Sequence, residues 1–129
     1  MDEKNLTPEF ESMLNAAKSY FENSTAKGLE YHQCIVLKFS DGAEKLYAFP
    51  CLSVKELITK SCAVLYENKD STVTNIVCMW DGGSVDVPAH QFIETLCDIN
   101  PENTNAEILL NSSPASYIYI SKKISDVIK

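Results

Sequence analysis

The sequence lacks long apolar runs and paired cysteine motifs. No stretch approaches the roughly 18 to 20 consecutive apolar residues of a membrane-spanning helix. The first six residues include three charged ones and hold no apolar run before a cleavage site, so no signal peptide is expected. No C-x-x-C motif occurs, and the widely spaced cysteines are odd in number: Cys34, Cys51, Cys62, Cys78 and Cys97. These features predict a cytoplasmic protein with reduced thiols and no membrane partner.

Basic residues are also scarce. The 129 residues include 11 Lys or Arg against 18 Asp or Glu, which gives a net charge of −7. Because binding a phosphate backbone needs a basic surface, no nucleic-acid partner is expected. Gly82-Gly83 has neither a following lysine nor a G-x-G-x-x-G context, so it is not a phosphate loop. With 45% hydrophobic and 22% charged residues, the chain predicts one globular domain over residues 1–129.

Helix signals are clear at several places. Thr7-Pro8 reads as an N-cap followed by proline at the first helical position. The apolar residues after it have helical spacing: Phe10, Met13, Leu14, Ala17 and Phe21. Ser53 and Glu56 form a capping box that opens a second helix running toward Tyr66. Pro88 is expected to begin a third helix, and Ile124, Val127 and Ile128 are expected to pack down from a short closing helix.

Five strands are predicted from β-branched and aromatic residues and from the turns between them. They cover residues 33–39, 45–49, 73–80, 106–110 and 117–120. Pro50 is expected to stop the second strand, and Asn100 to Asn103 to form a loop. Two crossover helices after an opening hairpin predict an α/β fold, a three-layer α-β-α sandwich with a mixed five-stranded sheet. In this frame the N-termini of the second and third helices can face one spot, which suits a metal or an anion.

The order and spacing of these pieces resemble the cytidine deaminase family over nearly the whole chain. The matching pieces are the leading helix, a first strand with an Asp-Gly hairpin, a second helix near Cys62-Ala63, Pro88, Asn100-Pro101 before a fourth strand, and the ending Tyr117 to Ile128. The resemblance implies a cytidine deaminase-like fold. It also implies a homo-oligomer, a dimer or tetramer, because members of the family commonly assemble in that way.

The resemblance also shows which chemical groups are missing. The family binds zinc through a Cys or His on the second helix, two residues before a Glu that moves protons, and a Pro-Cys-x-x-Cys at the third helix. On this chain the first ligand falls at Cys62, the Glu position at Val64, and the other two ligands at Ala89 and Phe92. Methyl, phenyl and isopropyl groups cannot ligate zinc or transfer a proton. We therefore expect no zinc, no catalytic residue and no deamination of the family type.

The substrate positions are changed as well. The family holds the ribose with an Asn-x-Glu after the second strand, and by spacing these positions are Cys51 and Ser53. Neither side chain can reproduce carboxylate recognition of a sugar hydroxyl. Ser53 is also expected to cap a helix.

Other candidate reactive groups carry weaker signals. His90 follows the first lost ligand, but on a helix it points about 100° away from Ala89. His90 and Cys97 share a face two turns apart, too far for one zinc. Cys62 lies well inside the second helix if that helix begins at Ser53, so it lacks the activation that a helix N-terminus gives a thiol. His32 has no companion and is expected to be exposed.

Three functions therefore remain open. The first is a catalytically inactive cytidine deaminase-like protein with a structural, regulatory or protein-binding role. The second is an acidic inhibitor or immunity-type protein that binds a basic partner. The third is an enzyme of non-zinc chemistry in the same cavity, which would use Cys62 and His90. The carboxylates Asp81 and Asp86 lack the apolar surroundings that acid–base catalysis would need.

Overall fold

The computed structural model describes residues 6–26, 29–112 and 118–128. The helices in these ranges are α1 (Pro8–Asn23), α2 (Val54–Glu67), α3 (His90–Ile99) and α4 (Ile124–Val127). The strands are β1 (Tyr31–Phe39), β2 (Glu44–Cys51), β3 (Val73–Trp80), β4 (Glu107–Asn111) and β5 (Tyr119–Lys123). A 3-10 helix, Pro101–Asn105, precedes β4. No helix among the described residues has both the length and the apolar character to cross a membrane.

The strands form one mixed five-stranded sheet in the order β2-β1-β3-β4-β5. Strands β3 and β4 pair in parallel, and the other three pairs are antiparallel. Helix α1 packs on one face of the sheet, while α2, α3 and α4 pack on the other. The predicted three-layer α/β sandwich is confirmed.

Alternate side chains of the central strands point to opposite faces of the sheet, and each face has its own apolar core. On the α1 side, Cys34 and Val36 of β1 contact the buried face of α1. On the other side, Ile35 and Leu37 contact residues of α2 and α3. Because β1 lies in the sheet interior with both faces covered, its sequence is an almost continuous apolar run. Each fully buried large apolar side chain contributes about 1.5–3 kcal/mol.

The first two helices begin where the sequence predicts. Thr7 Oγ1 accepts a hydrogen bond from Phe10 N at 3.3 Å. Ser53 Oγ accepts from Glu56 N at 3.1 Å, and Glu56 Oε1 accepts from Leu52 N at 3.1 Å. The capping box is therefore formed, with the glutamate reaching one residue beyond the cap. Helix α1 starts on Pro8, which has no N–H to leave unpaired.

The expected start of the third helix at Pro88 is wrong. Helix α3 begins at His90, and Ala89 is an N-cap with extended backbone. The chain before it runs back along β3, because Val85 bridges Met79 and Asp86 N donates to Cys78 O at 3.0 Å. The segment can turn into a helix only after it leaves the sheet.

Pro50 does not stop the second strand. It is paired with His32, and β2 continues to Cys51. Because β2 is an edge strand, the missing N–H can face away from the sheet without breaking a ladder bond.

The part of the chain after α3 differs from the prediction in three respects. Strand β5 begins at Tyr119, and Tyr117 lies outside the described residues. The closing helix is confirmed with Ile124 buried, but Ile128 is 43% exposed and does not pack down. The expected loop after α3 is a 3-10 helix, which Asn100 caps by accepting from Glu102 N at 3.1 Å.

The buried Asn103 joins three elements. Its Oδ1 accepts from Val73 N at 2.8 Å, and its Nδ2 donates to Leu96 O at 2.9 Å. One side chain thus ties the 3-10 helix to the start of β3 and to the last turns of α3. Both bonds are buried, so loss of this side chain would remove hydrogen bonds that water does not readily replace.

Candidate functional site

Two helices begin at the same edge of the sheet. Strands β2 and β3 both run antiparallel to β1, so their carboxyl ends lie together beside the start of β1. Helix α2 follows β2 directly, α3 follows β3 after an extended segment, and the two helices pack against each other. The sequence predicts this frame correctly. It is the place where a ligand would meet unpaired backbone N–H groups.

The two helix starts differ in their caps. Ser53 and Glu56 satisfy backbone N–H groups at the start of α2. At the start of α3, Ala89 makes no side-chain cap hydrogen bond, although Phe92 N donates to its carbonyl at 3.0 Å. Helix α3 therefore has the less satisfied N-terminus.

Buried apolar side chains occupy two of the four positions that the resemblance assigns to the family's reactive groups. Val64 is 8% exposed and Phe92 is 1% exposed, and both belong to the core between the sheet and the helices α2 and α3. Ala89 is half-buried at the N-cap. Val64 and Phe92 therefore pack in the core, and Ala89 is the N-cap residue of α3. None of the three has a side chain that could ligate a metal.

Cys62 is the fourth position and lies inside α2, as the sequence predicts. Its Sγ accepts a hydrogen bond from Thr95 Oγ1 at 3.7 Å, so the thiol faces α3. The side chain is half-buried and packs against the core. It is eight residues beyond the first residue of α2, too far inside to gain from the dipole at the helix start.

These residues do not fit the zinc ion that cytidine deaminases carry. The donor set at the corresponding positions is one thiol, one methyl group and one phenyl ring, whereas zinc sites need three nitrogen, sulfur or oxygen ligands. Within the described ranges, no three His, Cys, Asp or Glu side chains lie close enough together to hold a metal ion.

The two substrate positions have other roles. Cys51 is fully buried at the end of β2, and burial, followed by the nearby Glu56 carboxylate, raises the pKa of its thiol. Ser53 uses its hydroxyl to cap α2. Neither group is a carboxylate or an amide of the kind that the family uses to hold the ribose.

The structure does not bring Cys62 and His90 together. His90 is exposed, and its Nε2 lies 3.1 Å from Glu94 Oε2. It lines a surface groove of about 390 Å³ with Ile93, Glu94, Cys97, Asp98 and Ile128, which Cys62 does not line. Burial, together with the adjacent Asp98 carboxylate, raises the pKa of the Cys97 thiol. No activated thiol next to a base results from this arrangement.

Sequence reasoning missed two buried polar residues at the start of β1. His32 was expected to be exposed but is 1% exposed, and Gln33 is buried too. Each has one side-chain nitrogen without a hydrogen-bond partner, Nδ1 of His32 and Nε2 of Gln33. Gln33 alternates with Ile35, so it points to the side of α2 and α3, while His32 points to α1. Two adjacent polar residues just before the apolar run Cys34 to Leu37 were the available signal.

Solved structures of cytidine deaminases share this fold. A cytidine deaminase from Mycobacterium leprae matches with a TM-score of 0.60 and 13% identity, over 95% of this chain and 98% of that one. The cytidine deaminase from Mycobacterium tuberculosis matches with a TM-score of 0.61 and 11% identity, over 94% of each chain. The cytidine deaminase from Burkholderia pseudomallei matches with a TM-score of 0.63 and 11% identity, over 95% of this chain and 96% of that one.

No protein-family model matches the sequence, and no curated protein sequence matches it. At 11 to 13% identity, structural likeness establishes the fold and nothing finer. Element order, sheet topology and coverage of both chains all agree. The chain has the cytidine deaminase-like fold.

Proposed function

We propose that this protein is a catalytically inactive relative of the cytidine deaminases with a structural, regulatory or protein-binding role. The observation that carries the proposal is the burial of Phe92 and Val64 in the core at positions where the family has a zinc ligand and a proton-transferring Glu. A deaminase needs a zinc-bound water and a carboxylate beside the ring. Hydrocarbon at these positions supplies neither.

The first experiment measures zinc and deamination together. Protein expressed in zinc-supplemented medium is purified and its metal content determined by elemental analysis, and cytidine is incubated with it and followed by chromatography. We expect substoichiometric zinc and no uridine. One zinc per chain that survives gel filtration, with uridine formation that a chelator stops, would overturn the proposal.

A pair of variants tests whether residues 89 and 92 correspond to zinc-ligand positions of the family. In Ala89→Cys/Phe92→Cys, two thiols join Cys62, and we expect the variant to bind zinc more tightly than the wild type. The control Ala89→Ser/Phe92→Ser has side chains of similar size without thiolates, and it should bind no better than the wild type. Circular dichroism checks that both variants fold. Equal zinc binding by two folded variants would contradict the positional correspondence.

We further propose that the protein assembles as a homo-oligomer, a dimer or tetramer. Support comes from the resemblance to a family whose members commonly assemble, and from exposed apolar residues such as Val54 and Tyr66. Native mass spectrometry at micromolar concentration should give a dimer or tetramer, and a monomer alone would remove this part of the proposal.

The free thiols of this protein support a cytoplasmic location. All five lie among the described residues and all are free thiols. Unpaired thiols are usual in reducing compartments. Fractionation of the producing cells should place the protein with cytoplasmic markers.

The second candidate function, binding to a basic protein, is favoured by one surface feature. Glu94 and Asp98 line the groove on α3 beside the apolar Ile93 and Ile128, and the chain carries a net charge of −7. A basic partner that co-purifies should dissociate as salt rises. Glu94→Lys/Asp98→Lys should abolish that binding, whereas Glu67→Lys/Asp70→Lys, which changes charge equally elsewhere, should only weaken it.

A further inference from the structure

Gln33 is a buried glutamine on the face of β1 that α2 and α3 cover. It is 2% exposed, and its Nε2 has no hydrogen-bond partner among the described residues. Its neighbours across the sheet are Phe49 of β2 and Trp80 of β3. Residues directly opposite in antiparallel strands share a face, so both side chains lie beside the glutamine. Neither a phenyl ring nor an indole has a conventional acceptor to offer the amide nitrogen.

An unpaired amide in this place works against folding. Protein interiors pair nearly all of their buried polar groups, and an apolar side chain of similar size avoids the penalty. Turning the amide by half a turn exchanges its nitrogen and oxygen, but either orientation leaves a polar atom at this buried position. The orientation in the structure offers a donor.

Gln33 lies at the edge of the sheet where α3 begins. Its neighbour Trp80 is the last residue of β3, and the chain then reaches α3 at His90. Phe92, in the first turn of α3, belongs to the same core cluster as Phe49, and Trp80 packs against that cluster. The amide of Gln33 therefore faces the layer that holds the N-terminus of α3.

The start of α3 has donors of its own. Ala89 at the N-cap makes no side-chain hydrogen bond, and the helix is ten residues long. A helix supplies no acceptor for the N–H groups of its first residues, here His90 and Gln91, and its dipole favours negative charge beside them. The start of α2 differs, because Ser53 and Glu56 bind its N–H groups. The amide and the start of α3 thus match the same kind of partner, a negatively charged oxygen acceptor.

Three carboxylates on the neighbouring elements have partners of their own. Glu56 Oε2 lies 2.8 Å from Lys60 Nζ. Glu94 Oε2 lies 3.1 Å from His90 Nε2, and Asp86 Oδ1 accepts the next backbone N–H at 2.7 Å. These contacts reduce the repulsion that the carboxylates would exert on a bound anion.

We propose that this edge is a binding site for a small carboxylate, whose oxygens accept from Gln33 Nε2 and from the N–H groups at the start of α3. Tyr31, two residues before Gln33 on the same face, and Trp80 are half-buried and supply apolar contacts to the rest of the ligand. The site gives the inactive protein a regulatory ligand. It rests on the proposed function, because a deaminase would bind its zinc at the start of the same helix.

Titration of zinc-free protein with sodium acetate at pH 7, followed by amide NMR spectra, tests the site. The backbone signals of His90 and Gln91 and the side-chain signals of Gln33 should shift together and saturate with one dissociation constant, roughly millimolar for so small a ligand. Sodium chloride keeps the ionic strength constant. Acetamide has a similar shape without the charge and should bind at least about tenfold more weakly.

Three variants separate binding from folding. Gln33→Leu removes the donor and keeps the volume, so it should bind acetate about tenfold more weakly and unfold at the same or a higher urea concentration than the wild type. Ala89→Asp places a carboxylate where it can pair with the N–H groups of α3, and it should abolish the response to acetate. Ser53→Asp is the matched control, since it adds the same charge at the start of α2 and should keep most of the response.

Several results would overturn the site: no saturable shift in zinc-free protein, equal binding of acetate and acetamide, or unchanged affinity in folded Gln33→Leu. A lower urea midpoint in Gln33→Leu would do so too, because it would show that the amide has a structural partner. None of these results affects the proposed function. A response that requires bound zinc and disappears with a chelator would instead place acetate on the metal, and it would overturn both proposals.

Discussion

Phe92→Ala tests whether Phe92, which the resemblance assigns to a zinc-ligand position, is part of the core. The phenyl ring is 1% exposed and packs among residues of the sheet, α2 and α3. Truncating such a ring removes its buried area and leaves a cavity, at a cost of about 3–5 kcal/mol. Since small domains have only about 5–15 kcal/mol of stability, this loss should be a large fraction of the total.

Urea unfolding followed by tryptophan fluorescence measures this loss. With a slope of about 2 kcal/mol per molar urea, the midpoint should fall by roughly 1.5–2.5 M. Leu52→Ala is the matched control, because Leu52 is 70% exposed. Its free energy of unfolding should differ from that of the wild type by less than about 0.5 kcal/mol.

A second measurement shows what happens to the vacated volume. If the packing around Phe92 is rigid, the apolar cavity in Phe92→Ala should bind benzene and regain thermal stability, while the wild type should not respond. A loss of stability below about 1 kcal/mol in Phe92→Ala would refute the reasoning. It would mean that Phe92 borders an open cavity and is not a packed part of the core.

Three further predictions follow from other contacts. Asn103→Ala removes the acceptor for Val73 N and the donor to Leu96 O, and it should cost about 2–4 kcal/mol by urea unfolding. Ser53→Ala loses the cap on Glu56 N and should cost about 1 kcal/mol in the same assay, with Ser53→Asn retaining most of the stability. Burial raises the pKa of the Cys34 thiol from 9.0 to about 12, so between these values the unfolded chain has lost a proton that the folded chain keeps. Stability should therefore fall as pH rises above 9. Cys34 should contribute up to about 1.4 kcal/mol per pH unit to this fall, and Cys34→Ala should remove that contribution.

Local patterns predicted most of the elements. The caps at Thr7 and Ser53 and the apolar spacing on α1 depend only on neighbours in sequence, and they are confirmed. The order of helices and strands was enough to predict the mixed sheet, because crossover connections restrict the arrangement of strands. The same order also assigns Cys62, Val64, Ala89 and Phe92 to the family's reactive groups, and this assignment stays a prediction.

The errors involve contacts between residues distant in sequence. His32 is buried because Tyr20 and Phe21 of α1 cover it, which no pattern around residue 32 reveals. Pro50 continues β2 because that strand is an edge, a fact that depends on the whole sheet order. The delayed start of α3 depends on the bridge between Val85 and Met79. These features arise from tertiary structure and override local propensity.

The proline inside β2 limits how copies of this protein can associate. An edge strand with free N–H and C=O groups is a template on which another chain can extend the sheet, and this is a route to aggregation. At Pro50 the outer side of β2 presents a ring instead of a donor, and Glu44 and Lys45 place exposed charges at the other end. Continuous addition of strands along β2 is thereby blocked. Any ordered assembly of this chain on that side should join through helical surfaces, and its growth should be self-limiting rather than fibrillar.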